Sequence, residues 1–240
     1  MKFALNLIDW QARAPGLSDA AEWQSWANQR AAIDPQAAIG KLSELPMMTA
    51  RRLSSGSKLA VECGLSILRR HQVDALLYTS RHGELERNYR ILQALATGQA
   101  VSPTDFTTSV HNAAVGNLTI VAQQAIPASS LSAGIDTFQQ GLCEVVCLLS
   151  AGYQRVLMVD FDGHLPEFYH PSLPDAMPTW PYALALLFEQ GETLHCQAEH
   201  CSSATEPALA PSLQFLQHYL RATPQFTLAG ERHHWRWQRR

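Results

Sequence analysis

Apolar side chains recur at Leu131, Ile135, Phe138, Leu142, Val145 and Leu149. These alternating steps of four and three draw one stripe down a helix. The pattern predicts a helix of about five turns between Pro127 and Gly152. Pro127 with Ser129 or Ser130 supplies a start, and Gly152 a stop. Ala133, Gly134 and Gly141 are small, so the helix is expected to pack closely against another element. Val156-Leu-Met-Val159, followed by Asp160, predicts a buried strand directly after it. A deep helix feeding a core strand is therefore the expected centre of the fold.

The rest of the chain repeats this alternation. Phe3–Ile8 predicts an opening strand, and 15–40 a long excursion with at most a short helix near Ala20–Asn28. Thr49–Arg70 has helical spacing through Leu53, Leu59, Ala60, Cys63, Ile67 and Leu68, with Arg51, Arg52, Lys58, Arg69 and Arg70 on a solvated face. Val73–Thr79 predicts a strand, Glu86–Thr97 a helix, and Ser102–Phe106 a turn and cap. Val110–Val121 runs from polar to apolar. Asp160, Asp162, Pro166 and Pro171 suggest a loop, Tyr182–Phe188 a strand, Leu213–Leu220 a short helix and Phe226–Leu228 a last strand. Strands alternating with helices, some of the strands continuously apolar, mean an α/β fold. No repeat or composition break divides the chain, so residues 1–240 are expected to form one domain.

Composition narrows the function. The chain is 46% apolar and 16% charged, with a formal net charge of −3. That balance argues against nucleic-acid and membrane-surface roles, and fits a chain that hides part of its surface against a partner. Cys63, Cys143, Cys147, Cys196 and Cys201 have no framework spacing and read as reduced thiols. No apolar run reaches the roughly 20 residues needed to span a bilayer. With no signal peptide apparent, the expected location is the cytoplasm.

Three passages carry a family resemblance: Tyr78-Thr-Ser-Arg-His-Gly-Glu84; Ser102-Pro-Thr-Asp-Phe-Thr-Thr-Ser-Val-His-Asn112 with Ala114, Gly116 and Leu118; and Ser129-Ser-Leu-Ser-Ala-Gly134. In order and spacing they resemble the N-terminal half of a β-ketoacyl synthase of the thiolase fold, over roughly residues 40 to 190. The resemblance implies a thiolase-like half, with a mixed sheet of about five strands flanked by helices. In active members a cysteine at a helix N-terminus, favoured there as thiolate, takes the acyl chain from a carrier protein. Lining up Gly134 with the family's glycine puts Leu131 at that cysteine position, and leucine has no lone pair with which to attack. Nothing beyond Gly191 resembles the family's histidine-bearing loops.

The resemblance thus implies a silent subunit, like the chain-length factor of type II polyketide or aryl-polyene systems. It would pair with a ketosynthase that supplies the cysteine and histidines. An acyl carrier protein would deliver the chain on phosphopantetheine. No catalytic residue, cofactor or metal is expected of this chain. Leu131, Ser132, Gly134, Phe138, His111 and Asn112 are the candidates for the acyl pocket or the interface, with the bulk of Leu131 and Phe138 limiting chain length. The competing reading is an autonomous divergent acyltransferase or thioester hydrolase using one of the Asp-His clusters or a serine at 129, 130 or 132, for which no Gly-x-Ser-x-Gly elbow is present.

Smaller constellations have plainer readings. His195-Cys196 and His200-Cys201 offer four N/S ligands, but neighbouring strand residues face opposite ways and no common zinc spacing matches. Asp160, Asp162 and His164 at a strand's C-terminus could serve hard-cation or general-acid work, but charged loop residues commonly follow a buried strand. Arg81, His82 and Glu84 suit either an interface or an ordinary strand-end network. Glu231–Arg240 alternates cations with Trp235 and Trp237, which fits a half-buried edge strand more simply than a carrier-protein contact or nucleic-acid stacking.

Overall fold

Among the residues that the computed structural model describes, 1–201 and 206–240, seven strands form one sheet. They are β1 (Lys2–Arg13), β2 (Ala75–Thr79), β3 (Ala128–Leu131), β4 (Val156–Asp162), β5 (Tyr182–His200), β6 (Gln225–Ala229) and β7 (His233–Arg239). Their order is β3-β2-β4-β5-β7-β6, with β1 paired along β5. β2 runs parallel to β3 and β4, and every other pairing is antiparallel. The helices are α1 (Ala20–Gln29), α2 (Met47–Ala50), α3 (Ser55–Arg70), α4 (Leu85–Ala96), α5 (Pro103–Thr107), α6 (Ala113–Ala122), α7 (Thr137–Ser150) and α8 (Pro211–Leu220).

β2 and β4 are buried on both faces, as expected of strands lying between two helical layers. On one face Leu77, Met158 and Leu186 meet Phe138, Leu142, Val145 and Leu149 of α7, Phe215 of α8 and Trp23 of α1. On the other, Leu76, Val159 and Leu187 meet Leu59, Cys63 and Ile67 of α3 and Leu118 of α6. The mixed α/β architecture and most of the expected elements are present.

The central stretch differs from its expected form. Ala128–Leu131 is a strand in parallel register with Leu76–Thr79, so Ser129 and Ser130 do not cap a helix. Gly134 then takes a left-handed turn at φ 60°, and Thr137 Oγ1 accepts from the Ala133 N–H at 3.0 Å. α7 begins only there. The stripe from Phe138 to Leu149 is helical, whereas Leu131 and Ile135 belong to the strand end and the turn. Gly141 lies where the close packing was expected: a Cβ there would sit 2.7 Å from Thr79 Cγ2.

Other expectations are also revised. Asp160 and Asp162 lie inside β4 rather than in a loop. The 49–70 helix is interrupted after α2, because Ser54 caps α3 by accepting from the Ser57 N–H. The described residues give seven strands rather than about five, since β3 forms ahead of α7 and both β6 and β7 join the one sheet. β7 does alternate, with Trp235 and Trp237 buried, but it lies between β5 and β6, and β6 forms the edge.

Candidate functional site

The parallel strands β3, β2 and β4 end on one rim, and α7 starts beside them. Ligands of open α/β sheets bind at such carboxyl ends. A small cleft of about 40 Å³ opens there, lined by Ile135, Phe138, Met177 and Tyr182 together with Asp160, Asp162, Arg81 and Glu206. Arg81 and Glu206 face each other with Nη1–Oε1 2.5 Å and Nη2–Oε2 3.1 Å, a fork-to-carboxylate pair.

Asp160 and Asp162 are two residues apart on β4 and face the same side. Thr79 Oγ1 donates to Asp160 Oδ1 at 2.6 Å, and the Tyr182 hydroxyl to its Oδ2 at 3.2 Å. Asp162 Oδ1 accepts from Ser80 Oγ at 2.6 Å and from the His82 N–H at 2.9 Å. Burial outweighs these hydrogen bonds and pushes both carboxyls up to about 6. Burial also holds His82 down to about 4, with the Arg81 charge adding to it.

The structure joins candidates that the sequence kept apart. His111 Nε2 lies 3.0 Å from the Ser80 carbonyl oxygen, so α6 reaches back to the rim formed by Ser80, Arg81, His82 and Asp162. Asn112, at the start of α6, is exposed. Glu84 turns away from the rim, accepting from Ser54 Oγ at 3.1 Å and from Ser57 Oγ. His164 is exposed and donates its backbone N–H to Ser55 Oγ at 2.7 Å, so it does not join the two aspartates. Tyr182, Met177 and Glu206 escape sequence reasoning, because nothing in their local pattern separates them from ordinary strand and loop residues.

Leu131 is the half-buried last residue of β3, and Ser132 and Gly134 are exposed in the turn before α7. The segment 131–138 entering the helix carries no thiol. Cys143 lies further along α7, half-buried, and burial pushes its thiol up to about 11. Cys63 and Cys196 are pushed higher still by burial. Such thiols stay protonated at neutral pH and are poor nucleophiles. Among the described residues neither Ser130 nor Ser132 has an activating base: Ser130 Oγ is buried without a hydrogen-bond partner there, and Ser132 Oγ donates to the Arg81 carbonyl at 3.3 Å.

A second feature adjoins the rim. Among the described residues β3 pairs only with β2, which leaves its outer edge open there. Beside that edge a groove of about 580 Å³ is lined by Val115, Thr119 and Ile120 of α6 with Ile126 and Ser129. Ile120 is 74% exposed, and Phe106 and Val110, on the stretch leading into α6, are 68% and 52% exposed. An exposed Ile120 beside an apolar groove and an open strand edge fits a surface that another protein covers. No helix among the described residues is long and apolar enough to cross a membrane.

Comparison with known proteins places these features. The β-ketoacyl synthase N-terminal domain family matches residues 23–238. A chain of the ketosynthase (ApeO) in complex with its chain length factor (ApeC) from Xenorhabdus doucetiae is 55% identical, covering 99% of this chain and 100% of that chain with a TM-score of 0.95. The ishigamide ketosynthase/chain length factor is 15% identical over 82% of this chain and 67% of its own, with a TM-score of 0.65. The type II PKS acyl-carrier protein AntF in complex with its ketosynthase AntDE, bound to the hexaketide, gives 9% identity over the whole of both chains and a TM-score of 0.71. At those identities the last two show the shared fold alone. No curated protein is significantly similar.

Proposed function

The chain belongs to the β-ketoacyl synthase N-terminal-domain family, and from that premise we propose that it is a non-catalytic, chain-length-factor-like subunit that pairs with a ketosynthase. The observation that carries this reading is the end-to-end match, at 55% identity, to a chain of a ketosynthase–chain length factor complex. The chemistry of the rim agrees with it. The entry to α7 holds Leu131 to Phe138 with no cysteine, and burial leaves Cys143 a protonated thiol.

In this role the ketosynthase supplies the nucleophile and the histidines, and a carrier protein presents the acyl chain on phosphopantetheine. The pathway is of the type II polyketide, aryl-polyene or related fatty-acid-like kind. Residues 1–240 act as one domain, since both apolar clusters pack on a single sheet. The cytoplasm suits its unlinked Cys63, Cys143, Cys147 and Cys196. The partner covers the β3 edge with Ile120, Phe106 and Val110, while Leu131, Ser132, Gly134, Phe138, His111 and Asn112 lie at or behind that surface and bound the chain pocket.

Reconstitution tests the reading. A candidate partner ketosynthase from the same organism, given carrier-bound acyl and malonyl groups, should elongate only when this chain is added, and the product lengths should shift with substitutions at Leu131. Equal elongation by the ketosynthase alone, with the same products, would overturn it.

A further inference from the structure

His200 closes β5 and His233 opens β7, and the two are direct cross-strand partners. Side chains alternate along a strand, so this pair continues the row formed by Cys196 with Trp237 and Ala198 with Trp235. That row is covered by the core, and the histidines stand at its end: His233 is half-buried and His200 exposed. Their ring centroids are 6.0 Å apart with the planes at 79°, and Trp235 backs the His233 ring at 6.1 Å.

The sequence groups these residues differently. His195-Cys196 and His200-Cys201 read together as four ligands, but His195 points to the other face, with Nε2 2.8 Å from the Glu192 carbonyl oxygen and 3.2 Å from Glu192 Oε2. Cys196 is buried in the core. Among the described residues no three His, Cys, Asp or Glu side chains gather for a metal. The imidazole pair across β5 and β7 joins positions 33 residues apart, too far for local spacing to reveal.

We propose that His200 and His233 together chelate one divalent transition-metal cation of the Zn²⁺ or Ni²⁺ class, with water completing its coordination. Imidazole nitrogen is the ligand such ions prefer. A tetrahedral ion about 2.0–2.1 Å from each nitrogen sets two ring centroids about 5 Å apart. The rings therefore close by about 1 Å, within reach of side-chain rotation at the exposed His200. Directly opposed residues have Cβ atoms about 4.5–5.5 Å apart, so the ladder holds both donors on one side of one ion. The bound ion clips the end of β5 to the start of β7.

Calorimetric titration of the full chain with Ni²⁺ alone, paired with thermal unfolding, tests the site. One equivalent should bind, and His200→Ala and His233→Ala should each weaken it at least about tenfold, a loss that even a supporting residue of a metal site produces. His234→Ala, on the opposite face of β7, should bind as the parent does. Ni²⁺ should raise the melting temperature of the parent and of His234→Ala, but not of the other two. Should His233→Ala fail to fold, His200→Ala at its exposed position decides alone. Undiminished binding by His200→Ala, or an equal loss in His234→Ala, would overturn the proposal.

Discussion

The rings of Phe138 and Phe215 meet at 5.5 Å, and through them α7 is fastened to α8. Phe138 is 1% exposed and Phe215 0%, and Phe215 also packs on Phe226 and Trp237. Phe138 therefore holds the core together as well as walling the cleft. Phe138→Ala should cost about 3–5 kcal/mol of stability, the range for emptying a buried aromatic site. Denaturant unfolding checks this, and a loss under 1 kcal/mol would contradict the packing. Any effect of position 138 on product length is better read from Phe138→Leu, which leaves a smaller void.

Gly141 seats α7 on the sheet. A methyl group there would meet Thr79 Cγ2 at 2.7 Å and the end of the Met158 side chain at 2.5 Å. Gly141→Ala should destabilise by about 1–3 kcal/mol despite its gain in helix propensity, as overpacking does. A rise in melting temperature would show that α7 can lift without cost.

Asp162 makes a pH-dependent contribution whose sign follows from its burial. Its carboxyl is raised to about 6 in the folded chain, against about 3.9 unfolded. Between those values the folded state binds more protons, so this group makes folding less favourable as pH rises and disfavours it fully at neutral pH. Asp162→Asn keeps an oxygen to accept from Ser80 Oγ and the His82 N–H, both of which bond Oδ1. The variant should be more stable than the parent by about 1–3 kcal/mol at pH 7, with the gain fading toward pH 4. His82, held at about 4, acts in the opposite sense as pH falls from 6.5, and the parent–variant difference removes its share. A gain constant from pH 4 to 7 would contradict the account.

Much of this structure was legible in the sequence, and the misses have physical causes. The stripe from Phe138 to Leu149 is real because one face of α7 is wholly buried. Pro127–Leu131 was absorbed into it, since a short edge strand has too few residues to show its own period. Asp160 and Asp162 look like loop residues, yet V-L-M-V-D-F-D continues one buried strand, its acids tolerated because Thr79, Ser80 and Tyr182 donate to them. The rim joining His111 to Ser80, and the His200–His233 pair, depend on contacts between distant segments that no local pattern announces.

Ile120 should carry the contact with the ketosynthase. Because it is 74% exposed, Ile120→Glu should leave the chain folded, with its melting temperature within about 2 °C of the parent. A charge placed in a covered apolar patch should nonetheless abolish co-purification with the partner.

The most direct test of the central claim is the solution mass, by light scattering after size exclusion, of this chain co-expressed with a candidate partner ketosynthase from the same organism. The account predicts a stable complex with equal numbers of the two chains, lost in Ile120→Glu. A well-folded parent chain that elutes alone, with the ketosynthase active and undisturbed beside it, would contradict it.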